Sequence, residues 1–334
     1  MPVFAIDVFC GAGGMSLGLL RAGVPVLAGI DNDALAADTY EQNLGIPVIR
    51  DSVENVTGRM LRHLVPAGGR LVFAICAPCQ PFSKVRTNGK RSKGRDLLLS
   101  VGRLVRSARP DGLVVENVPQ IGNGSGRGVL GRFTKLLASS GYSYTYANLD
   151  AKNFDVPQTR RRMVLLAVKG KKELHLPRSS GRRRTVRDAI GDLPRINAGE
   201  RRVGMPLHRA SRLAPQNLVR LRATPRNGGD SRAWPADLLP PCRKDSDGFY
   251  DVYGRMRWEA PAPTLTTRCN SLSNGRFGHP EQDRAISLLE AALLQTFPRS
   301  YRFAGVQNEI AKQIGNAVPV RLAAALAGAL AEQL

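Results

Sequence analysis

Two cysteines that follow an apolar run are the residues best suited to nucleophilic chemistry. Residues 71–83 read LVFAICAPCQPFS, so Cys76 and Cys79 form a C-x-x-C pair at the end of a predicted strand. The pair has three interpretations: a redox dithiol, half of a zinc site, or a single reactive thiolate. The other cysteines are isolated and supply no second pair, which disfavours zinc. We favour a reactive thiolate at the carboxyl edge of an open α/β sheet.

A carboxylate and two guanidinium groups follow the apolar runs next to this one. Glu116 ends the run GLVVENV, and the segment QTRRRM projects Arg160 and Arg162 on one side of an extended chain. Thiolate, carboxyl and guanidinium together suit nucleophilic addition to an electron-poor ring: the thiolate attacks, the acid protonates a ring nitrogen, and the cation stabilises a carbonyl oxygen. A surface ion-pair cluster is the alternative for Glu116 and the arginines.

A glycine-rich turn follows the first apolar run and precedes a predicted helix. Gly11, Gly13 and Gly14 bring backbone N–H groups and a helix N-terminus beside a ligand. Asp31 ends the second apolar run, where a carboxylate accepts ribose hydroxyls, and Asp51 ends the third, where it accepts a base N–H. These residues predict a nucleoside-containing cofactor, with NAD and S-adenosylmethionine equally suitable, unless the turn serves only tight packing.

The elements that must position these residues alternate between strand and helix. Strands are predicted at 3–9, 24–30, 71–76, 112–115, 141–150 and 163–168, and helices at 15–22, 33–43 and 96–108. This alternation predicts a doubly wound, Rossmann-like α/β fold with a parallel sheet. Residues 171–260 are rich in Arg, Pro and Gly and predict an irregular, β-rich second domain, after which 322–330 return to a helical pattern.

The chain is strongly basic, and the charge is uneven. The formal net charge is +22, and hydrophobic residues make up 43% of 334 residues, as in a globular protein. Residues 1–70 hold 5 basic and 7 acidic residues, whereas 171–260 hold 20 basic and 10 acidic residues. The later segment therefore predicts a polyanionic partner, against the alternative of a solvated basic surface. No signal peptide or membrane span is expected, and five cysteines without framework spacing suit a reducing compartment.

Five motifs in order resemble those of the cytosine-5 DNA methyltransferases of bacterial restriction–modification systems. They are DVFCGAGGMSLGL after residue 6, P-C-Q-x-F-S at 78–83, ENV at 116–118, Q-x-R-x-R at 158–162 and QIGNAVP at 313–319. The resemblance covers nearly the whole chain except about 171–250. It implies an S-adenosylmethionine-dependent methyltransferase domain formed by 1–175 and 300–334, with a target-recognition domain and hinge at 176–299.

The resemblance also implies a catalytic sequence. The target cytosine is flipped out of the duplex, and Cys79 attacks its carbon 6. Glu116 holds ring nitrogen 3 and the exocyclic amine, so that carbon 5 takes the methyl group. Loss of the carbon 5 proton then expels the thiolate. Arg162 is assigned to the base carbonyl, and Arg160, the second arginine of the pair, is assigned to catalysis, to a phosphate or to the catalytic loop.

Cofactor and DNA contacts follow from the same resemblance. The matching cofactor residues are Phe9, Gly11, Gly13, Gly14, Asp31, Asp51, Pro78, Leu97, Asn316 and Val318. Residues 80–95 match a catalytic loop that closes over DNA phosphates. Its predicted DNA contacts are Gln80, Ser83, Lys84, Arg86, Lys90 and Arg91. No metal is expected.

The expected partner is double-stranded DNA, bound by a monomer in a bacterial cytoplasm, with a cognate restriction endonuclease as a candidate partner on the same site. A tRNA cytosine-5 methyltransferase and a catalytically silent DNA-binding homologue are the alternatives. The basic recognition segment favours DNA over tRNA. Leu289 is the feature that favours a silent protein, because it stands where the family usually has Arg before Glu290. Either a structural ion pair is lost there, or packing replaces it.

Overall fold

Two compact units make up the chain in the computed structural model, which describes residues 1–78, 97–123, 127–171, 173–239 and 251–334. The first unit comprises Met1–Asp150, Arg161–Ser180 and Val318–Leu334, and the second comprises Ala151–Arg160 and Gly181–Ala317. These limits differ from the predicted borders at 175/176 and 299/300 mainly because 300–317 belong to the second unit. Assignment of the second unit to target recognition stays a prediction.

A seven-stranded sheet forms the centre of the first unit, in the order β3-β2-β1-β4-β5-β7-β6. The strands are β1 (Val3–Val8), β2 (Val26–Ile30), β3 (Val48–Ile49), β4 (Arg70–Ile75), β5 (Gly112–Asn117), β6 (Tyr142–Asp150) and β7 (Arg161–Lys169). The strand order reverses between β1 and β4. In an open α/β sheet the ligand crevice lies at the carboxyl ends of the strands beside such a reversal.

One strand departs from the predicted parallel arrangement. The pairs β2–β3, β1–β2, β1–β4 and β4–β5 are parallel, but β7 runs antiparallel to both of its neighbours, β5 and β6. The reason is the connection: only residues 151–160 join β6 to β7, which is too short for the helical crossover that a parallel pair requires.

Helices cover both faces of this sheet, which confirms the predicted doubly wound α/β fold. The α-helices in the described residues are α1 (Gly14–Arg21), α2 (Ala34–Leu44), α3 (Gly58–His63), α4 (Leu97–Ala108), α5 (Arg127–Ser139), α6 (Val186–Ile190), α7 (Pro215–Ala223), α8 (Leu288–Leu294), α9 (Gln307–Asn316) and α10 (Val320–Ala331). Helices α3, α4 and α5 share one apolar core with Phe73 and Leu113. Helix α10 lies on the other face, where its Leu330 approaches Gly112.

Helix α10 is a core helix of the first unit. It packs closely on α1, because a Cβ atom added at Gly18 would lie only 2.3 Å from the Cβ of Ala323. The stretch Gln307–Ala331 is long and apolar enough to cross a membrane by length and composition alone, yet 61% of its most apolar part is buried in the protein. The stretch is also divided, since α9 ends at Asn316 and α10 begins at Val320.

The second unit is irregular, as predicted, but its described part is not β-rich. It contains helices α6 to α9 and isolated β-bridges such as Gln158↔Ala262, and no strand. Buried arginines take over the hydrogen bonding that a strand ladder would supply. Arg255, which is 1% exposed, donates to the backbone carbonyls of Leu221, Thr224, His279 and Gln282 and pairs with Asp283. Arginine-satisfied loops therefore replace the expected short strands.

Candidate functional site

A sharp turn joins β1 to α1 at the edge where the sheet order reverses. Gly11 and Gly13 have positive φ angles of 49° and 86°. A Cβ at Gly11 would meet nothing within 4 Å, so the backbone conformation alone is what favours glycine there. Phe9 also has a positive φ of 63°. Helix α1 then begins at Gly14 without a side-chain cap from the described part of the chain, which leaves N–H groups for a ligand.

Two carboxylates follow the next strands. Asp31 accepts the N–H of Gly11 at 2.8 Å on Oδ2 and the N–H of Asp33 at 2.9 Å on Oδ1, which ties it directly to the glycine turn. Burial raises its pKa, while these backbone hydrogen bonds oppose the rise. Asp51 is exposed, and its Oδ1 accepts hydrogen bonds from Ser52 and Asn55. Its Oδ2 is unbonded among the described residues.

A third carboxylate, which the sequence analysis missed, lies inside β1. Asp7 is 0% exposed, and its Oδ2 accepts a hydrogen bond of 2.6 Å from Ser16 Oγ. The other oxygen, Oδ1, has no hydrogen-bond partner within the described ranges. Burial raises the pKa of Asp7 to about 7. An acidic residue in the otherwise apolar run VFAIDVF was the available signal. The uncapped helix, Asp31, Asp51 and this orphaned oxygen fit a cationic nucleoside cofactor.

The remaining predicted cofactor residues lie in both units. In the first unit, Leu97 begins α4 and packs against the apolar core, Val318 is buried just before α10, and Pro78 is exposed after β4. Asn316 is an exposed residue at the end of α9 in the second unit. Within this set of ten predicted cofactor residues, a hydrogen bond joins Gly11 to Asp31.

Glu116 and Arg162 meet at the carboxyl end of β5. Arg162 Nε lies 2.8 Å from Glu116 Oε1, and the two side chains are 13% and 10% exposed. The antiparallel pairing of β5 with β7 produces this contact, because Glu116 is paired with Val164, two residues beyond Arg162. The predicted acid, Glu116, and the predicted cation, Arg162, are therefore adjacent. Both side chains keep a small solvent-accessible surface on which a ligand would bind.

Asn117, which was not predicted as a site residue, holds the segment that leads to Cys79. Its side-chain amide donates to the carbonyl of Ala77 at 3.1 Å, and its Oδ1 accepts the N–H of Val118. The ENV motif was the signal for this residue. Cys79 itself lies outside the described residues. So do the predicted DNA contacts, which are Gln80, Ser83, Lys84, Arg86, Lys90 and Arg91.

Arg160 has surroundings quite unlike those of Arg162. It is 2% exposed, and its guanidinium donates to the carbonyls of Leu265 at 3.0 Å, Gly315 at 3.0 Å and Ala317 at 3.2 Å. These contacts give Arg160 a role in holding the second unit together. Its assignment to catalysis stays a prediction.

Two buried glutamines reinforce the same region of the second unit. Gln158 donates to Gln295 Oε1 at 3.0 Å and accepts the N–H of Leu265 at 3.0 Å. Gln295 in turn donates to the carbonyls of Ile314 and Ala317. Gln158 and Arg160 of the Q-x-R-x-R motif thus stabilise the second unit through buried hydrogen bonds. Gln158 is part of that motif but was not predicted as a functional residue.

Glu290 is paired despite the leucine that precedes it. Arg284, which is 0% exposed, binds both carboxylate oxygens of Glu290 at 2.7 Å, and Leu289 is buried. Burial alone would raise the pKa of Glu290, but the hydrogen bonds and charge of Arg284 outweigh it and lower the pKa to about 2. In the second unit, packing at Leu289 therefore coexists with an intact buried ion pair.

The strand order, the glycine turn and the carboxylates after β2 and β3 define a Rossmann-like α/β domain with the features of a nucleoside-binding site. Solved structures support this class. A putative DNA modification methyltransferase encoded within a prophage of E. coli superposes with a TM-score of 0.77 at 22% identity, over 99% of both chains. The Dnmt2 methyltransferase of S. pombe superposes with a TM-score of 0.67 at 17% identity, over 98% of both chains. At these identities the likeness establishes the fold.

The sequence comparison identifies the family. Residues 4–332 match the C-5 cytosine-specific DNA methylase family. The chain is 43% identical to the Type II methylase M.HgiDII of Herpetosiphon aurantiacus, over 96% of this chain and 93% of that protein. It is 32% identical to the Type II methyltransferase M1.HphI of Haemophilus parahaemolyticus, over 99% and 87%. The chain belongs to the C-5 cytosine-specific DNA methylase family, which confirms the prediction of a DNA (cytosine-5-)-methyltransferase of restriction–modification type.

Proposed function

We propose that this chain transfers the methyl group of S-adenosylmethionine to carbon 5 of a cytosine within a specific duplex DNA sequence, through base flipping and a covalent adduct with Cys79. The observation that carries the proposal is the ion pair between Glu116 and Arg162, 2.8 Å long, at the end of β5. Asn117 holds Ala77 beside the same strand end, two residues before Cys79. The carboxyl group and the guanidinium group thus belong to neighbouring strands, and Ala77 is hydrogen-bonded to the same strand end.

Each of these groups has one task toward the base. Cys79 attacks carbon 6 of the extruded cytosine as a thiolate. Glu116 binds ring nitrogen 3 and the exocyclic amine. Once it has taken a proton from solvent, its acid form donates that proton to nitrogen 3, which makes the attack favourable. Arg162 binds the carbonyl oxygen of the base and keeps Glu116 oriented. After methylation of carbon 5, a base removes the proton from that carbon, and the electron pair expels the Cys79 thiolate.

The cofactor site is built on the first unit. Asp31 would accept the ribose hydroxyls, Asp51 would accept the adenine amine, and the glycine turn with the start of α1 would hold the amino-acid moiety. Phe9, Pro78, Leu97 and Val318 would line this site, and Asn316 of the QIGNAVP motif stays a predicted cofactor contact. When bound, S-adenosylmethionine supplies an electrophilic methyl group on a sulfonium.

DNA is the proposed substrate, with the basic loop 80–95 on its phosphates and residues 176–299 reading its bases. Arginine or lysine would read guanine, and asparagine or glutamine would read adenine. We propose a monomer in the bacterial cytoplasm, because flipping one base requires no symmetry. A cognate restriction endonuclease would cut the same sequence.

Bisulfite sequencing of DNA from a methylation-free bacterial host tests the function. Expression of the chain should produce methylated cytosines in one short recurring context, and Cys79→Ala should abolish them. Purified protein incubated with duplex DNA or with tRNA and labelled cofactor distinguishes the DNA and tRNA alternatives. Methylation of tRNA alone would refute DNA as the substrate. Soluble, folded protein that methylates neither would favour the silent homologue.

Asn117→Ala tests the strand-end arrangement. Loss of the 3.1 Å hydrogen bond to Ala77 releases the segment before Cys79. The variant should therefore stay folded, while its methylation rate falls clearly below that of the parent protein. A rate equal to that of the parent protein would show that Asn117 does not position the nucleophile. The rate should be measured as covalent trapping on a 5-fluorocytosine duplex, which reports the Cys79 adduct directly.

A further inference from the structure

A buried polar network lies beneath the glycine turn and has no task in the reaction described so far. Asp7 on β1, Ser16 on α1 and Tyr40 on α2 form it, and we call it the Asp7 network. Ser16 Oγ donates to Asp7 Oδ2 at 2.6 Å and lies 2.7 Å from the Tyr40 hydroxyl. All three residues are 0% exposed. Burial of three linked polar groups in a sheet core is costly unless each is satisfied.

Negative or neutral groups surround Asp7. In the sheet it is paired with Gly29 of β2 and Ala74 of β4, which carry no charge. The titratable groups that face it are Asp31 and Cys10, whose carboxylate and thiol interact with it electrostatically, and Tyr40 through Ser16. In the described part of the chain, no lysine or arginine pairs with Asp7.

This environment disfavours a negative charge on Asp7. Burial raises its pKa to about 7, and the charge of Asp31 adds to the rise, while the hydrogen bond from Ser16 opposes it. Burial and the same two carboxylates raise the pKa of Cys10 well above its usual value. A positive charge brought to the glycine turn would reverse this balance, because an opposite charge nearby favours the ionised carboxylate.

S-adenosylmethionine carries an ammonium, a carboxylate and a sulfonium, with a net charge of +1, whereas its product, S-adenosylhomocysteine, lacks the sulfonium charge and is neutral overall. We propose that the Asp7 network couples cofactor binding to proton release, and thereby favours the sulfonium cofactor over the product with its neutral sulfur. This inference rests on the proposed use of S-adenosylmethionine. The orphaned Oδ1 and the electrostatic coupling of Asp7 to Asp31, the proposed ribose ligand, are the observations that carry it.

The proton balance is simple. In the free protein near neutral pH, a fraction of Asp7 is a carboxylic acid. When the cofactor binds, the O–H bond of that acid breaks, the proton passes to solvent, and the carboxylate remains. After methyl transfer the sulfur keeps the electron pair of the broken S–C bond and becomes neutral. Asp7 then takes a proton back from solvent, which weakens its attraction for the product.

Titration calorimetry in two buffers of different ionisation enthalpy measures the protons released. At pH 7, a group with a pKa of about 7 is half ionised, so cofactor binding should release about 0.5 proton. Binding of the product, S-adenosylhomocysteine, should release fewer protons. Below pH 7, cofactor affinity should fall with decreasing pH, by at most about tenfold per unit, and above pH 7 it should be constant.

Three variants make the test specific. Asp7→Asn should remove the proton release. Ser16→Ala removes a hydrogen bond that stabilises the carboxylate, so it should raise the released fraction toward one proton. This opposite sign keeps the test valid if Asp7→Asn fails to fold. Asp38→Asn, at an exposed carboxylate of α2 that pairs with Arg50, is the matched control and should leave the release unchanged.

The outcomes separate this inference from the proposed function. Cofactor binding without proton release, or with a release that Ser16→Ala leaves unchanged, would overturn the inference and leave the proposed function standing. Equal release with cofactor and product would overturn the preference for the sulfonium. Folded protein that binds neither molecule would overturn both the cofactor assignment and the inference.

Discussion

Arg160 and Arg162 lie two residues apart in one motif, yet their substitution by methionine should affect different properties of the protein. Arg160 is buried in the second unit and donates to three backbone carbonyls. Arg162 belongs to the first unit and makes one ion pair, with Glu116. We expect Arg160→Met to lower stability, and Arg162→Met to abolish methylation in a protein that still folds.

The magnitude for Arg160 follows from its acceptors. A buried carbonyl that loses its donor costs about 1–3 kcal/mol, so the three acceptors together give a loss of about 3 kcal/mol or more. With an m-value of about 2 kcal/mol/M in urea, the unfolding midpoint should fall by about 1.5 M. For Arg162, substitution leaves the nearly buried Glu116 without its cation, which costs about 1–3 kcal/mol, or about 0.5–1.5 M in the midpoint.

Tryptophan fluorescence is a suitable assay, since both tryptophans, Trp234 and Trp258, are buried in the second unit. Urea unfolding of the parent protein and both variants, followed by fluorescence for the second unit and by far-ultraviolet circular dichroism for the first, gives the midpoints. Covalent trapping on a 5-fluorocytosine duplex gives the activity of the folded fraction. An Arg160→Met protein that unfolds with the parent midpoint but fails to form the adduct would refute the structural role that we assign to Arg160.

Two further predictions concern Gly315 and Glu290 of the second unit, with Gly328 of α10 as the control for Gly315. A Cβ at Gly315 would lie 2.2 Å from the carbonyl oxygen of Thr266, so Gly315→Ala should lower the yield of folded protein. At Gly328 a Cβ would meet nothing within 4 Å. In thermal melts, Gly328→Ala should therefore be neutral or stabilising by about 0.5–1 kcal/mol. The pKa of Glu290 is lowered from 4.5 to about 2, so the stabilisation from its pairing with Arg284 is present above pH 4.5 and is lost as pH falls toward 2. Fluorescence-monitored unfolding should therefore show a steep loss of stability over this range in the parent protein, and a flatter one in Glu290→Gln; identical slopes would contradict the assignment.

The sheet was predictable because its strands are continuous apolar runs that end in polar residues. The run 3–9 corresponds to β1, Val3–Val8, and the run 163–168 lies inside β7, Arg161–Lys169. A strand buried on both faces has this composition whatever its direction. The direction of β7 was therefore not predictable from its residues. It depends on the length of the connection from β6, which is 151–160 in the structure but 151–162 between the predicted strands.

Individual side-chain roles were less predictable than the motifs that contain them. Arg160 and Arg162 share one residue type and one side of an extended segment, but only tertiary contacts show that one is satisfied by carbonyls and the other by a carboxylate. Asp7 was overlooked because a single acid in a strand changes the apolar pattern little. The prediction of a β-rich second domain was wrong for the described residues. A buried arginine such as Arg255 donates hydrogen bonds to several loop carbonyls at once, and the hydrophobic periodicity of the sequence does not reveal this.

Leu289 illustrates how a departure from a family motif is interpreted once the contacts are known. From the sequence, Leu289 implies either that a structural ion pair with the catalytic domain is lost or that packing replaces it, and the state of the neighbouring Glu290 is open. In the structure, Arg284 reaches both oxygens of Glu290 from six residues upstream, and the Ser287 side chain and backbone complete a capping box with the same carboxylate. The carboxylate is thus paired and hydrogen-bonded without an arginine at 289. The pairing of Glu290 therefore does not depend on a cation at 289, and the silent homologue stays an alternative that the trapping assay on Cys79 tests.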